Sequence, residues 1–216
     1  MSDFVLDVPR AERIGFGEAV FCGGKSVAQI DAILDDAAGR RLPMLLTRLD
    51  NEKYRKLRHG AALDYDALSR TAYAGDAAPM VHAGIAIVTA GTSDVPVARE
   101  AARTLAFDGY GAVQIDDVGV AGLWRLMQRI EELLTYKIVI VVAGMDAALP
   151  TVLGGLIPGC IIAVPTSVGY GVATGGRAAL DAMLASCAPG VVVVNIDNGY
   201  GAACAAMRVI KSHKTS

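Results

Sequence analysis

The sequence predicts a three-layer α/β domain built on a parallel sheet, preceded by a small α+β domain, and three observations carry that prediction. Strand-length apolar runs recur from Gly84 onward, at 84–90, 111–115, 137–143, 160–164 and 191–196. These runs are apolar on both faces, as strands covered by helices on either side must be. Helix-length segments separate them, for example Leu123, Met127, Ile130 and Leu134 at helical spacing. Right-handed crossovers then bring all strand C-termini to one edge, where sheets of this kind bind ligands.

The N-terminal third reads differently. Ser26 can cap a helix with Gln29 at the capping-box position, and Val27, Ile30, Ile33, Leu34 and Ala37 form its apolar stripe. Gly39 is expected to end it. Residues 42–47 suit a strand and residues 51–58 an exposed helix. Around 72–80 the pattern lapses into Gly, Ala and Pro, which marks a linker or hinge. The expected domains are therefore residues 1–80 and 81–216.

Bulk properties narrow the function. Apolar residues make up 53% of the chain, yet no uninterrupted apolar run is long enough to span a bilayer. No membrane association is expected. The opening Met-Ser-Asp-Phe lacks the layout of a signal peptide, so a cytoplasmic protein is expected. Formal net charge is −2 with scattered Lys and Arg, which argues against a nucleic-acid surface. The cysteines Cys22, Cys160, Cys187 and Cys204 show no CxxC spacing, so neither a zinc site nor a disulfide framework is indicated. The apolar excess fits burial between subunits.

Every unusual loop follows an expected strand. In Gly91-Thr92-Ser93-Asp94-Val95-Pro96, hydroxyls and free N–H groups at a helix N-terminus can hold a phosphate, or Asp94 simply caps the helix. Asp146, in Gly144-Met145-Asp146, is either a capping carboxylate or a general base whose pKa burial raises. Pro165-Thr166-Ser167-Val168-Gly169-Tyr170-Gly171 lets backbone approach a ligand closely, although many such turns have no function. Asn195, in Asn195-Ile196-Asp197-Asn198-Gly199, needs a partner if buried on its apolar strand. Cys187 falls where a helix should end, which disfavours a thiolate, and buried cysteines are more often inert.

Taken together the loops resemble the LarB family, the pyridinium-3,5-biscarboxylic acid mononucleotide synthases of nickel-pincer cofactor biosynthesis. Beyond the runs just quoted, the resemblance rests on Ser186-Cys187-Ala188, Asp117-Val118-Gly119-Val120-Ala121-Gly122 and, more weakly, Gly23-Gly24-Lys25-Ser26. It covers nearly the whole chain. It implies a flavodoxin-like C-terminal domain related to the N5-carboxyaminoimidazole ribonucleotide mutases, and a homo-octamer. It implies carboxylation of nicotinic acid adenine dinucleotide at ring C5 by carbon dioxide or bicarbonate, with hydrolysis of the phosphoanhydride to release AMP and with Mg²⁺ as a cofactor. The family's reactive cysteine maps onto Cys187 and its active-site carboxylate onto Asp146, where members usually have Glu. Many members have His where Trp124 stands. Substrate contacts are expected from Gly91, Thr92, Ser93, Asp94, Asp117, Gly144, Thr166, Ser167, Gly169, Tyr170, Asn195 and Asp197; metal ligands are not assigned.

Two rival readings remain. A purine-pathway carboxylase or mutase of the same fold needs a histidine in the loop after its second strand, and His59, His82 and His213 all lie off the expected catalytic loops. A non-catalytic nucleotide-binding module would keep the phosphate loops without needing Cys187.

Overall fold

The computed structural model describes residues 4–212. The opening residues weighed for a leader, and His213, lie partly or wholly outside that range. The chain forms two compact units, Met1–Pro79 with Ala106–Gly109, and Met80–Leu105 with Tyr110–Ser216.

In the first unit the elements run α1 (Arg10–Ile14), β1 (Ala19–Phe21), α2 (Val27–Gly39), β2 (Met44–Thr47), α3 (Asn51–Lys56), a 3₁₀ turn (Gly60–Ala62), β3 (Asp64–Asp66) and β4 (Thr71–Ala74). The sheet order is β1-β2-β4-β3, with β1 and β2 parallel and the other pairs antiparallel. The capping box forms as expected: Ser26 Oγ accepts from Gln29 N at 3.2 Å, and Gln29 Oε1 accepts from Ser26 N at 2.9 Å. The apolar stripe buries Ile30, Ile33, Leu34 and Ala37.

Three boundaries differ from expectation. Gly39 stays helical because Arg40 N still reaches Asp36 O and Ala37 O; the left-handed reversal falls on Arg41, at φ 56°. The α3 helix stops at Lys56 because the Arg58 N–H is drawn to the buried Asp31 carboxylate at 3.1 and 3.3 Å. The expected linker at 72–80 is partly strand, since β4 pairs with both β2 and β3 and its Ala72 is fully buried.

The second unit contains β5 (Val81–Thr89), α4 (Val95–Phe107), β6 (Tyr110–Ile115), α5 (Leu123–Met127), α6 (Ile130–Leu133), β7 (Ile138–Ala143), α7 (Leu149–Leu156), β8 (Cys160–Pro165), α8 (Arg177–Leu184), β9 (Val192–Val193) and α9 (Gly199–Ser212). Its sheet is wholly parallel in the order β6-β5-β7-β8-β9. Counted within this unit that is order 2-1-3-4-5, the flavodoxin-like arrangement.

All six residues of β7 are buried. Val139, Val141 and Ala143 share a core with Leu126, Leu133, Leu149, Leu153 and Met183 of the helices on one face. The alternate positions Ile138, Ile140 and Val142 are equally buried, and α9 packs on β7 and β8. The continuous apolar runs therefore reflect strands enclosed on both faces.

The single helix expected through Leu123 and Leu134 is two, because Arg129 at φ −109°, ψ 1° leaves the helical region between them. The last strand is shorter than its apolar run. Only Val192–Val193 is regular, after which Asn195 turns outward and its Oδ1 accepts from the N–H of Ile196 at 2.8 Å. No helix among the described residues is long and apolar enough to cross a membrane.

Candidate active site

A cleft of about 470 Å³ opens where the chain leaves the strands of the second unit. Gly91, Ser93 and Asp94 after β5, Gly119 and Arg125 after β6, residues 143–149 after β7 and Val168 after β8 line it. In the 2-1-3-4-5 order the connection leaving β5 runs to β6 on one side and the connection leaving β7 runs to β8 on the other, so a crevice opens between the loops after β5 and β7. The cleft occupies that switch point.

The loops approach one another too closely for side chains at several positions. A Cβ on Gly119 would lie 2.6 Å from Ala90 O, and one on Gly144 would lie 2.4 Å from Val168 O. Backbone hydrogen bonds complete the stitching: Gly119 N donates to Ala90 O at 2.8 Å and Met145 N to Val168 O at 3.0 Å. The buried Thr89 hydroxyl donates to Asp116 Oδ1 at 3.1 Å and accepts from Asp117 N at 3.0 Å. Four non-glycine residues adopt left-handed backbone at this edge: Asp117, Met145, Ala147 and Asp197. Each costs of order 1 kcal/mol, which such sites sustain because the surrounding bonds fix the conformation.

At the centre lies Asp94, only 3% exposed. Its Oδ1 accepts from Thr166 Oγ1 at 2.7 Å, its Oδ2 accepts from Gly91 N at 3.0 Å, and the Gly144 N–H also donates to it. One carboxylate thus ties together the loops after β5, β7 and β8. Burial pushes the Asp94 carboxyl above its ordinary value, and these three donors pull it partly back. Of the two roles open for this loop in the sequence, a phosphate site or an Asp94 cap, the Asp94 carboxylate is taken up by the Gly91 N–H at the start of the turn and by Thr166, which is itself fully buried.

The other expected residues divide. Gly91, Ser93, Gly144 and Asp146 line the cleft, whereas Thr92 is exposed beside it. Asp146 is exposed, and α7 has no side-chain cap, so neither burial nor capping describes it. Asp197 Oδ1 accepts from the Ser167 N–H at 2.7 Å, fixing the loop after β8; Ser167 and Asn195 are exposed. Gly169 packs with a would-be Cβ 2.6 Å from Ala173 O, and the Tyr170 side chain is 77% exposed. Asp117 pairs with Arg125.

Cys187 is exposed on the connection from α8 to β9 and is absent from the cleft lining of its own chain. That connection enters a strand, whereas the cleft loops leave strands. Beside it the Ser186 and Thr151 hydroxyls bond at 2.7 Å, and Ser186 Oγ accepts from Ala188 N at 3.2 Å.

Arg125 is the functional candidate that sequence reasoning missed. It is a half-buried guanidinium on the cleft wall, with room made by Gly122, whose Cβ would lie 2.7 Å from Arg125 Nε. Its signal was present: it is the one cation in Gly119-Val120-Ala121-Gly122-Leu123-Trp124-Arg125-Leu126-Met127. A planar guanidinium beside glycine-lined N–H groups is suited to phosphate or carboxylate. No three His, Cys, Asp or Glu side chains among the described residues are grouped to hold a metal.

Comparison with known proteins agrees with this geometry. Residues 84–216 match the AIR carboxylase family, and residues 2–76 match the LarB/PurE-like N-terminal domain. The chain belongs to the AIR carboxylase family, and its pairing of the two domains is that of LarB. An uncharacterised protein of Methanocaldococcus jannaschii is 47% identical over 120 residues, which is 55% of this chain and 46% of that relative. The chain therefore spans about half the length of the curated relative it matches.

Proposed function

We propose that this protein carboxylates C5 of the pyridinium ring of nicotinic acid adenine dinucleotide and hydrolyses the phosphoanhydride, giving pyridinium-3,5-biscarboxylic acid mononucleotide and AMP. The observation that carries the reading is the switch-point cleft with Arg125 on its wall, in a carboxylase-family chain whose N-terminal region is LarB-like. Such a cleft suits a nucleotide with several anionic groups: Arg125 pairs with phosphate or carboxylate, and the Ser93 hydroxyl and strand-end N–H groups add donors.

The ring itself dictates the chemistry. A pyridinium is electron-poor and does not attack carbon dioxide. Addition of the Cys187 thiolate to C4 or C6 forms a C–S bond and yields a dihydropyridine whose C5 is enamine-like. C5 then attacks carbon dioxide, Asp146 takes the C5 proton, and the electron pair released expels the thiolate and restores the ring. No net oxidation occurs. A cationic ring beside the sulfur favours its ionised form by Coulomb attraction.

Because Cys187 lies outside its own chain's cleft, this reading includes a homo-octamer in which a neighbouring copy supplies the thiol. Mg²⁺, carried in on the substrate, would neutralise phosphate charge, since no cluster of His, Cys, Asp or Glu among the described residues is grouped to cage it. The protein acts in the cytoplasm, with neither nucleic acid nor membrane as partner.

AIR carboxylation is the second reading, favoured by the family of residues 84–216. Against it, the loop after β6 reads Asp116-Asp117-Val118-Gly119 and carries no histidine. Purified protein incubated with nicotinic acid adenine dinucleotide, bicarbonate and Mg²⁺ should release AMP and a dicarboxylated mononucleotide, followed by mass spectrometry. AMP without added carboxyl mass would leave only a hydrolase. Turnover of aminoimidazole ribonucleotide instead would establish the second reading.

A further inference from the structure

The first unit has a cavity of its own, about 460 Å³, which neither the cleft nor the proposed reaction uses. Its floor is apolar: Leu34 and Ala37 of α2 and Leu63 after the 3₁₀ turn, all buried in the core of that unit. Leu42 and Pro43 form a further wall. The volume falls in the range of small-molecule sites, which are mostly apolar with a few placed polar groups.

Those polar groups are Arg41, His59 and Asp76. His59 is already engaged, its Nε2 lying 2.8 Å from Asp35 Oδ1, and Asp35 also binds Arg58 at 2.8 Å. Arg41 is different. Its backbone is tied down, with Arg41 N donating to Ala38 O at 3.0 Å, but among the described residues its guanidinium makes no hydrogen bond or ion pair. It does not pair with Asp76, the one carboxylate on the lining. An exposed, uncompensated guanidinium beside an apolar floor complements a carboxylate on an apolar body, and its planar fork fits that group bidentately.

We propose that this cavity binds a small organic acid, with its carboxylate on Arg41 and its apolar body against Leu34, Ala37 and Leu63. The site is separate from the cleft in the second unit and does not depend on the reaction proposed there.

The test uses the full chain and three probes of one shape: 3-phenylpropionate, phenethylamine and 3-phenylpropanol. Titration followed by amide chemical shifts should show saturable binding of 3-phenylpropionate at or below about 1 mM, with shifts at Ala37, Arg41 and Leu63. The amine and alcohol should bind at least tenfold more weakly. Arg41→Gly is the informative variant, because glycine prefers the left-handed backbone that Arg41 adopts at φ 56°. It should keep or raise the melting temperature while weakening 3-phenylpropionate at least tenfold. Absence of saturable binding, equal binding of the alcohol, tighter binding of the amine through Asp76, or unchanged affinity in Arg41→Gly would each overturn the proposal.

Discussion

The two ends of the strands in the second unit are built differently. Where the chain leaves β5, β6, β7 and β8, the loops are stitched to one another and to a buried carboxylate, and they enclose a cleft. Where it enters β9, the connection carries an exposed thiol, and the Ser186 hydroxyl fixes it by bonding Thr151 and accepting from Ala188 N. The contrast teaches that the close-packed loops and the exposed thiol belong to different parts of the chain, so the proposed reaction asks two separate regions to meet. In the proposed reaction the stitched edge would hold the anionic substrate, and the thiol would have to be brought to it.

That division is broken most directly at Cys187. Cys187→Ala should lower product formation at least about 10³-fold, the scale on which loss of a nucleophile falls, while leaving substrate affinity nearly unchanged. Mixing it with Asp146→Ala, equally inactive alone, sharpens the point. Recovery of activity in mixed oligomers, measured as AMP and dicarboxylated product, is expected if thiol and carboxylate of one site come from different copies. No recovery would mean that the α8–β9 connection swings to its own cleft. Unimpaired turnover by Cys187→Ala would remove the covalent mechanism altogether.

The next effect in size belongs to the stitched edge itself. Arg125→Gln should weaken binding of the anionic substrate by roughly 1.5–3 kcal/mol, or about 10- to 150-fold, because a charge-assisted pair is lost. Calorimetric titration at low and high salt should show the wild-type affinity falling with salt more steeply than the variant's. An unchanged affinity would relieve Arg125 of any ligand role and leave it only as the partner of Asp117.

How much of this was legible in the sequence follows from the range of the forces involved. Strands β5, β7 and β8 announce themselves because burial on both faces demands uninterrupted apolar residues, and Ser26 with Gln29 announces a helix start within four positions. The short strands β1, β3 and β4 could not be read, since pairing partners such as Asp64 and Tyr73 are set by chain reversal rather than by local pattern. The loops after β5, β7 and β8 were legible as glycine- and hydroxyl-rich interruptions. That Asp94 and Thr166 would be spent on each other, 72 residues apart, was not. Cys187 was legible as a motif and by its place between a helix end and the next strand; that this connection is absent from the lining of its own chain's cleft was not.

A smaller effect tests whether close approach of loops holds the edge. Gly144→Ala places a Cβ 2.4 Å from Val168 O and 2.6 Å from Thr166 Oγ1, neither of which is a flexible side-chain end. Overpacking of this kind should cost about 3 kcal/mol in urea unfolding. Gly155→Ala is the control on the same connection: a Cβ there meets nothing within 4 Å and lies in α7, so it should gain up to about 1 kcal/mol. Equal effects at the two sites would show that the contacts of Gly144 do not shape the cleft.

The smallest effect is a pH dependence, and it carries the comparison to two carboxylates of opposite sign. Asp35, at the surface of the first unit, is held below its ordinary value by its hydrogen bonds to Arg58 and His59. Its contribution to stability is present above the unfolded value of 3.8 and is lost as pH falls through the lower folded value. Asp94 behaves in reverse. Burial raises its folded value above 3.8, so the native state binds the proton more tightly than the unfolded chain does. Its ionisation therefore withdraws stability as pH climbs from 3.8 through the raised value, and the withdrawal is complete above it. In Asp94→Asn this downward slope should vanish, although the amide presents N–H groups where Thr166, Gly91 and Gly144 also donate, so the variant is less stable at every pH. Asp35→Asn should instead flatten the acid limb alone. Denaturant unfolding of both variants between pH 3 and pH 7 distinguishes the two, and a downward slope surviving in Asp94→Asn would assign it to another buried group.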